Sequence, residues 1–91
     1  MDANFSNNTE AQRFELKLDN KIAFIDYQIA AKTISMLHTE VPKELGGKGI
    51  GGMLAEKALD YATIHDLKVV PSCTFIADYI RKNPKYENLL K

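Results

Sequence analysis

The run Glu44-Leu45-Gly46-Gly47-Lys48-Gly49-Ile50-Gly51-Gly52 gathers all five glycines of the 91-residue chain into one stretch. A glycine at a helix start costs about 0.5–1 kcal/mol of backbone entropy relative to alanine, so a stretch this dense calls for an offsetting use, most often the close approach of a ligand. After it, Ile50, Met53, Leu54, Ala58, Tyr61, Ala62 and His65 recur at three- and four-residue steps and mark one face of a helix, with Glu56, Lys57 and Asp60 opposite. The glycines therefore open a helix, where unpaired amides and the macrodipole favour a phosphate-like anion. One helix end contributes at most ~2 kcal/mol, whereas micromolar binding needs roughly 8 kcal/mol. Other contacts must supply the rest.

Outward from the run, the pattern is that of strands. Over residues 12–18, Phe14, Leu16 and Leu18 alternate with Arg13, Glu15 and Lys17, the two-residue period of a half-buried strand. Asp19-Asn20-Lys21 breaks it, and the β-branched and aromatic residues of 22–29 return antiparallel. Residues 33–41 form a third strand that stops at Pro42. On the other side of the helix, the apolar run 67–70 suits a covered strand parallel to the third, ended by Pro71-Ser72. Residues 74–82 read as a second helix with Phe75, Ile76, Tyr79 and Ile80 inward, stopped by Asn83-Pro84, with a short helical tail over 85–90. The fold class is α/β: an antiparallel three-strand meander, then helix, parallel strand and C-terminal helix. Residues 1–10, polar around a lone Phe5, read as a loose tail before a single domain over 11–91.

Composition narrows the function. Apolar residues at 45% and charged residues at 26% describe an ordinary globular chain. Twelve basic and twelve acidic residues cancel, so no nucleic-acid or anionic-membrane partner is expected. No apolar run is long enough to span a bilayer, and the first residues lack a charged-then-apolar signal segment, so the expected location is cytoplasmic. A lone cysteine, Cys73, excludes an internal disulfide, and His65 lacks neighbours for a metal site, so no metal is expected.

Three phosphate-binding patterns compete for the glycine run. Gly47-x-Gly49-x-x-Gly52 satisfies the dinucleotide fingerprint, yet the preceding strand belongs to a meander and no acidic residue follows the next strand. A P-loop needs Ser or Thr after its lysine, and Lys48 is followed by Gly49. The third pattern, Arg/Gln-x-x-Gly-x-Gly/Ala, is typical of the GNAT acyltransferase superfamily, and Gly46-Gly47-Lys48-Gly49-Ile50-Gly51 resembles it with a departure at Gly46. The competing reading is a flexible glycine-rich loop with no ligand.

With His38-Thr39-Glu40-Val41-Pro42 before that phrase and Pro71-Ser72-Cys73 after it, the chain resembles a small single-domain branch of that superfamily over nearly all of its length after the tail. The resemblance implies acetyl-CoA or CoA as ligand. It implies pantetheine against the end of the third strand, near Thr39 and Val41, and the pyrophosphate on Gly46, Gly47, Lys48, Gly49, Ile50, Gly51 and Gly52. Larger members insert two helices between their first two strands. Here only Asp19-Asn20-Lys21 fills that place, which leaves the acceptor groove open to a bulky or protein acceptor, or to none.

N-acetyl transfer needs a neutral amine, and at a lysine pKa of ~10.4 about one in 2,500 is neutral at pH 7, a penalty of roughly 4.6 kcal/mol. A base is then valuable, and Glu40 and His38 fall on one side of the third strand at its thioester end. Both also read as ordinary strand-end residues. Cys73 stands where strand gives way to helix, a place that raises thiol reactivity, and is a candidate nucleophile or a small buried apolar residue. Family members often use a tyrosine four residues after an alanine to protonate the departing thiolate, whereas Tyr79 follows Ala77 by two. Lys82 and Asn83, beside Arg81 and Lys85, are candidates for the 3′-phosphate or adenine end of CoA, although cations also suit a helix C-terminus. The expected function is acetyl-CoA-dependent transfer to an unknown amine acceptor, with a protein among the candidates. The alternative is a non-catalytic acyl-CoA-binding module that contacts a partner protein.

Overall fold

The computed structural model describes residues 3–47 and 49–91. Its strands are β1 (Asn4–Asn8), β2 (Arg13–Leu18), β3 (Lys21–Ala30), β4 (Thr33–Glu40) and β5 (Lys68–Pro71), and its helices are α1 (Ile50–Ile64) and α2 (Thr74–Lys82). Single 3₁₀ segments, Lys43–Leu45 and Pro84–Leu89, precede α1 and follow α2. The strands form one sheet in the order β1-β2-β3-β4-β5, antiparallel except between β4 and β5. Asp19-Asn20 and Ala31-Lys32 make its tight turns, and all four residues hold positive φ, as the turn that matches strand twist requires.

The meander has four strands rather than the expected three. Residues 4–8 of the expected loose tail pair with β2 from Asn4 opposite Lys17 to Asn8 opposite Arg13. Their polar side chains find partners: the Tyr27 hydroxyl donates to Asn7 at 2.6 Å, and the Asn8 amide donates to Glu15 at 3.3 Å. Phe5 stacks on Phe14 at 5.8 Å. A tail read for its apolar content alone hides these bonds. Met1 and Asp2 lie outside the described residues.

One face of the sheet is covered. Phe14, Leu16, Leu18, Ala23, Ile25, Tyr27, Ile34, Met36 and Val69 are buried there against Leu54, Ala55, Ala58, Leu59 and Ala62 of α1 and Ile76 and Ile80 of α2. Phe14 is the hub, with ring contacts to Phe5, to Tyr27 at 4.6 Å and to Tyr61 at 5.2 Å. Two residues assigned inward from periodicity lie elsewhere: His65 caps the exposed end of α1, stacked on Tyr61 at 4.1 Å, and Phe75 is 38% exposed.

The ladder between β3 and β4 carries one irregularity. Asp26 stands opposite His38 and Tyr27 opposite Met36, so Leu37 has no partner and forms a bulge. Beyond it the faces exchange. Thr39 comes opposite buried Ile25 on the helix side, while His38 and Glu40 come opposite Asp26 and Phe24 on the bare side. At the far edge, Leu90 forms a parallel bridge with Val69, and the Lys91 amide donates to the Val69 carbonyl at 3.2 Å.

Phe14→Ala is expected to cost about 3–5 kcal/mol, the range for emptying a fully buried aromatic site. Urea unfolding followed by circular dichroism reads it directly.

Candidate functional site

β4 and β5 pair in parallel only from Thr33 opposite Lys68 to Met36 opposite Pro71. Past that point β4 continues to Glu40 with β3 as its only strand neighbour, while the chain after β5 turns away into α2. The result is a splay whose one wall is the unpaired edge of β4 and whose other wall is the start of α2. The Cys73 amide donates to the Met36 carbonyl at 3.1 Å, which pins the bottom of the splay.

Cys73 is the N-cap of α2. Its Sγ accepts from the Ile76 amide at 3.4 Å and lies 3.0 Å from Thr39 Oγ1, and the residue is 8% exposed. The bulge at Leu37 is what turns Thr39 toward it. Thr39 and Cys73 therefore meet across the splay, and Val41 follows half-buried on the same side as Thr39.

His38 and Glu40 share the bare face, with His38 Nε2 at 3.9 Å from Glu40 Oε2 and both side chains largely exposed. His38 also tilts toward the Phe24 ring at 6.2 Å. On the far side of this patch the Arg13 guanidinium lies 3.8 Å over the Phe24 ring and pairs with Asp26 at 3.1 Å. These contacts are half in water and contribute little to stability. Their effect is to crowd the lateral positions around His38 and leave its solvent side open.

The glycine run turns from the 3₁₀ segment into α1. Gly47 and Gly49 hold φ of +79° and +72°, and a Cβ at either would meet nothing within 4 Å. Gly49 is the N-cap of α1, with no side-chain cap and no acidic residue in the first turn. The start of the helix therefore has open space beside Gly47 and Gly49, and no carboxylate in that turn competes for its amides. Glu44, the first residue of the run, is engaged by Lys21 at 3.7 Å. Gly51 has a different reason: a Cβ there would come within 2.8 Å of the Phe75 ring and 3.5 Å of Val41. Lys48, expected to add a charge here, lies outside the described residues. Ile50 is buried and serves the core, so at this residue only the backbone is available to a ligand.

Phe75 is the residue that sequence reasoning passed over, and it lies beside Tyr79, which the sequence offered as a thiolate donor with a departure in its spacing. Phe75 packs on Gly51, and Tyr79 lies beside Gly52, where a Cβ would stand 3.8 Å from its ring. Phe75 was legible only as an inward helix position. Burial, with Glu56 and Asp60 adding to it, pushes the Tyr79 hydroxyl above its ordinary range. Phe75, Asp78, Tyr79 and Lys82 line a small cavity at this helix crossing. Lys82 thus shares a cavity with Phe75 and Tyr79, the two residues that stand beside Gly51 and Gly52. Asn83 is committed elsewhere, since its side-chain amide donates to the Tyr79 carbonyl at 2.8 Å and closes the end of α2.

No group of three or more metal-ligating side chains occurs among the described residues, and no described helix is long and apolar enough to cross a membrane.

A family model described as GCN5-related N-acetyl-transferase matches residues 13–89. Relatives include a protein called NATD1 from Xenopus tropicalis, 36% identical over 66 residues, and NATD1 of Mus musculus, 32% identical over 79. The matches cover 72% and 82% of this chain and 60% and 71% of those proteins, so the chain spans about three fifths of the Xenopus relative's length. Among solved structures, a GCN5-like protein of Staphylococcus aureus determined by NMR superposes with a TM-score of 0.76 at 27% identity, over 97% of this chain and 87% of that one.

Gly49→Ala is expected to destabilise the chain by about 1–2 kcal/mol through backbone conformation alone, because the position is left-handed and the space around it is open. Gly49→Asn should cost less, since asparagine tolerates that region better. Guanidinium unfolding of the two variants checks the order.

Proposed function

The chain belongs to the GCN5-related N-acetyltransferase family, and we propose that it binds acetyl-CoA and passes the acetyl group to an amine on an unidentified acceptor. The observation that carries this reading is the splay between β4 and β5 opening beside the glycine turn at the start of α1. An extended amide-bearing arm fits an unpaired strand edge, and a diphosphate fits a helix start without competing carboxylates.

When bound, acetyl-CoA supplies a thioester carbonyl activated toward amines. The backbone amides from Gly47 to Gly52, with the Lys48 charge, hold the diphosphate, and the edge of β4 near Thr39 and Val41 aligns the arm. Lys82 takes the 3′-phosphate end. Asn83 contributes by fixing the helix end that presents Lys82. On the bare face Glu40 or His38, directly or through a water, takes the proton of the attacking amine, which offsets part of the roughly 4.6 kcal/mol cost of a neutral lysine amine. The Tyr79 hydroxyl, beside Gly52, would serve as the proton donor to the thiolate of CoA.

In a second route the Cys73 thiol would take the acetyl group from the thioester, with CoA leaving as its thiol, and would be regenerated when the amine takes the group from it. The observation in its favour is the position of Sγ at the splay, where it accepts from the Ile76 amide and meets Thr39 Oγ1. A non-catalytic acyl-CoA-binding module is the remaining alternative.

Calorimetry with acetyl-CoA, CoA, NAD and ATP is expected to give heat for the first two alone, and silence from both would end the reading. With labelled acetyl groups and a panel of amines, Glu40→Gln is expected to lower the transfer rate by about 10²–10⁴-fold if it is the base. Cys73→Ser that leaves the rate intact excludes the covalent route, and binding with no transfer to any amine selects the non-catalytic module.

A further inference from the structure

Phe75 lies where the two halves of the candidate site meet. Gly51 belongs to the first turn of α1, and the splay is walled by β4 and by the start of α2. A Cβ placed on Gly51 would stand 2.8 Å from Phe75 Cζ and 3.5 Å from Val41 Cγ2, so α1, α2 and the segment after β4 converge on one point. Val41 follows Thr39, which meets the Cys73 thiol at 3.0 Å, and Phe75 follows that cysteine on α2. A ligand that reaches from the glycine turn to the Thr39–Cys73 contact has to run beside this ring.

Two further observations bear on what the ring does. Phe75 keeps 38% of its surface open while its neighbour Ile76 is fully buried, so the ring gives apolar surface to the outside of the molecule as well as to its contact with Gly51. Phe75, Asp78, Tyr79 and Lys82 also follow one another at three- and four-residue steps of α2 and line one cavity, which borders the first turn of α1 through Gly51 and Gly52. Arg81 donates to Asp78 at 2.8 Å, which leaves the cavity an apolar ring at its splay end and the Lys82 ammonium at the other.

A helix start holds any phosphate and by itself cannot tell one nucleotide from another. CoA differs from other diphosphate nucleotides in its arm, which carries a branched apolar segment between the diphosphate and the first amide. Resting on the acetyl-CoA reading, we propose that Phe75 is the specificity-determining residue of the cofactor site. Its exposed ring receives the apolar part of the arm, so affinity depends on the arm and the chain selects CoA over nucleotides that offer phosphates alone. Gly51 serves the same end, because the absence of a Cβ lets the ring sit against α1 instead of being pushed into the path.

Calorimetry with CoA and with 3′-phosphoadenosine 5′-diphosphate, which keeps the phosphates of CoA and lacks its arm, tests this. Phe75→Ala is expected to weaken CoA about tenfold, the loss of a partly buried aromatic contact. The armless nucleotide and the circular dichroism spectrum are expected to stay unchanged. Gly51→Ala is expected to weaken CoA as well, and to do so far less in the Phe75→Ala background, where the added methyl meets no ring. The chain has no tryptophan, so Phe75→Trp places a single reporter at this point. Its emission is expected to move to shorter wavelength with CoA and to stay in place with the armless nucleotide. Unchanged CoA affinity in Phe75→Ala, equal losses for both ligands, or tryptophan emission indifferent to bound CoA overturns this inference and leaves the cofactor reading standing. An unaltered chain that binds no CoA ends both.

Discussion

Between Asp26 and Tyr27 the ladder from β3 to β4 loses its one-to-one match, because Leu37 has nothing opposite it. Much of the candidate site follows from that single unpaired residue. Ile34 and Met36 point into the core, and an unbroken two-residue period would bury His38 and Glu40 after them. The bulge reverses the phase. It sends His38 and Glu40 to the open face and turns Thr39 inward onto Cys73. The splay begins at the same level, since the last pair between β4 and β5 is Met36 with Pro71. One extra residue thus separates two kinds of surface, a lined cleft on one side and an ionisable patch on the other.

The strands and helices were largely legible because their periods are strong. Phe14, Leu16 and Leu18 alternate through β2, and α2 runs from Thr74 to Lys82 as Pro71-Ser72 and Asn83-Pro84 suggest. The glycine run was legible as a turn into a helix, and two of its members do hold left-handed backbone. β1 was hidden because its stability comes from polar side chains bonded across the sheet, and hydropathy does not register such bonds. Phe75 was misplaced for a related reason. It is apolar and in phase with Tyr79, yet its ring fills the space that the missing Cβ of Gly51 leaves, so its neighbour is another helix's backbone rather than the core. The side shared by His38 and Glu40 could be read from their spacing. Which face that side was could not, since no residue type announces a bulge.

Economy of length shows in the connections. The tight turns at Asp19-Asn20 and Ala31-Lys32 spend no residues on covering the outer face, and both helices lie on the other. A small domain buries a modest share of its surface, so a single covered face is the arrangement its core can support. The same economy leaves Phe24, Asp26, His38 and Glu40 in contact with solvent, held by one another and by Arg13 rather than by an overlying element.

The two borders of the sheet are unlike. Along β5 the chain's last residues fold back so that Leu90 and Lys91 occupy Val69, whereas β1 keeps its outer amides and carbonyls unclaimed within the described chain. A border already occupied offers no open row of amides and carbonyls to a passing strand, so of the two it is the β1 side, among the described residues, that is left able to template further pairing.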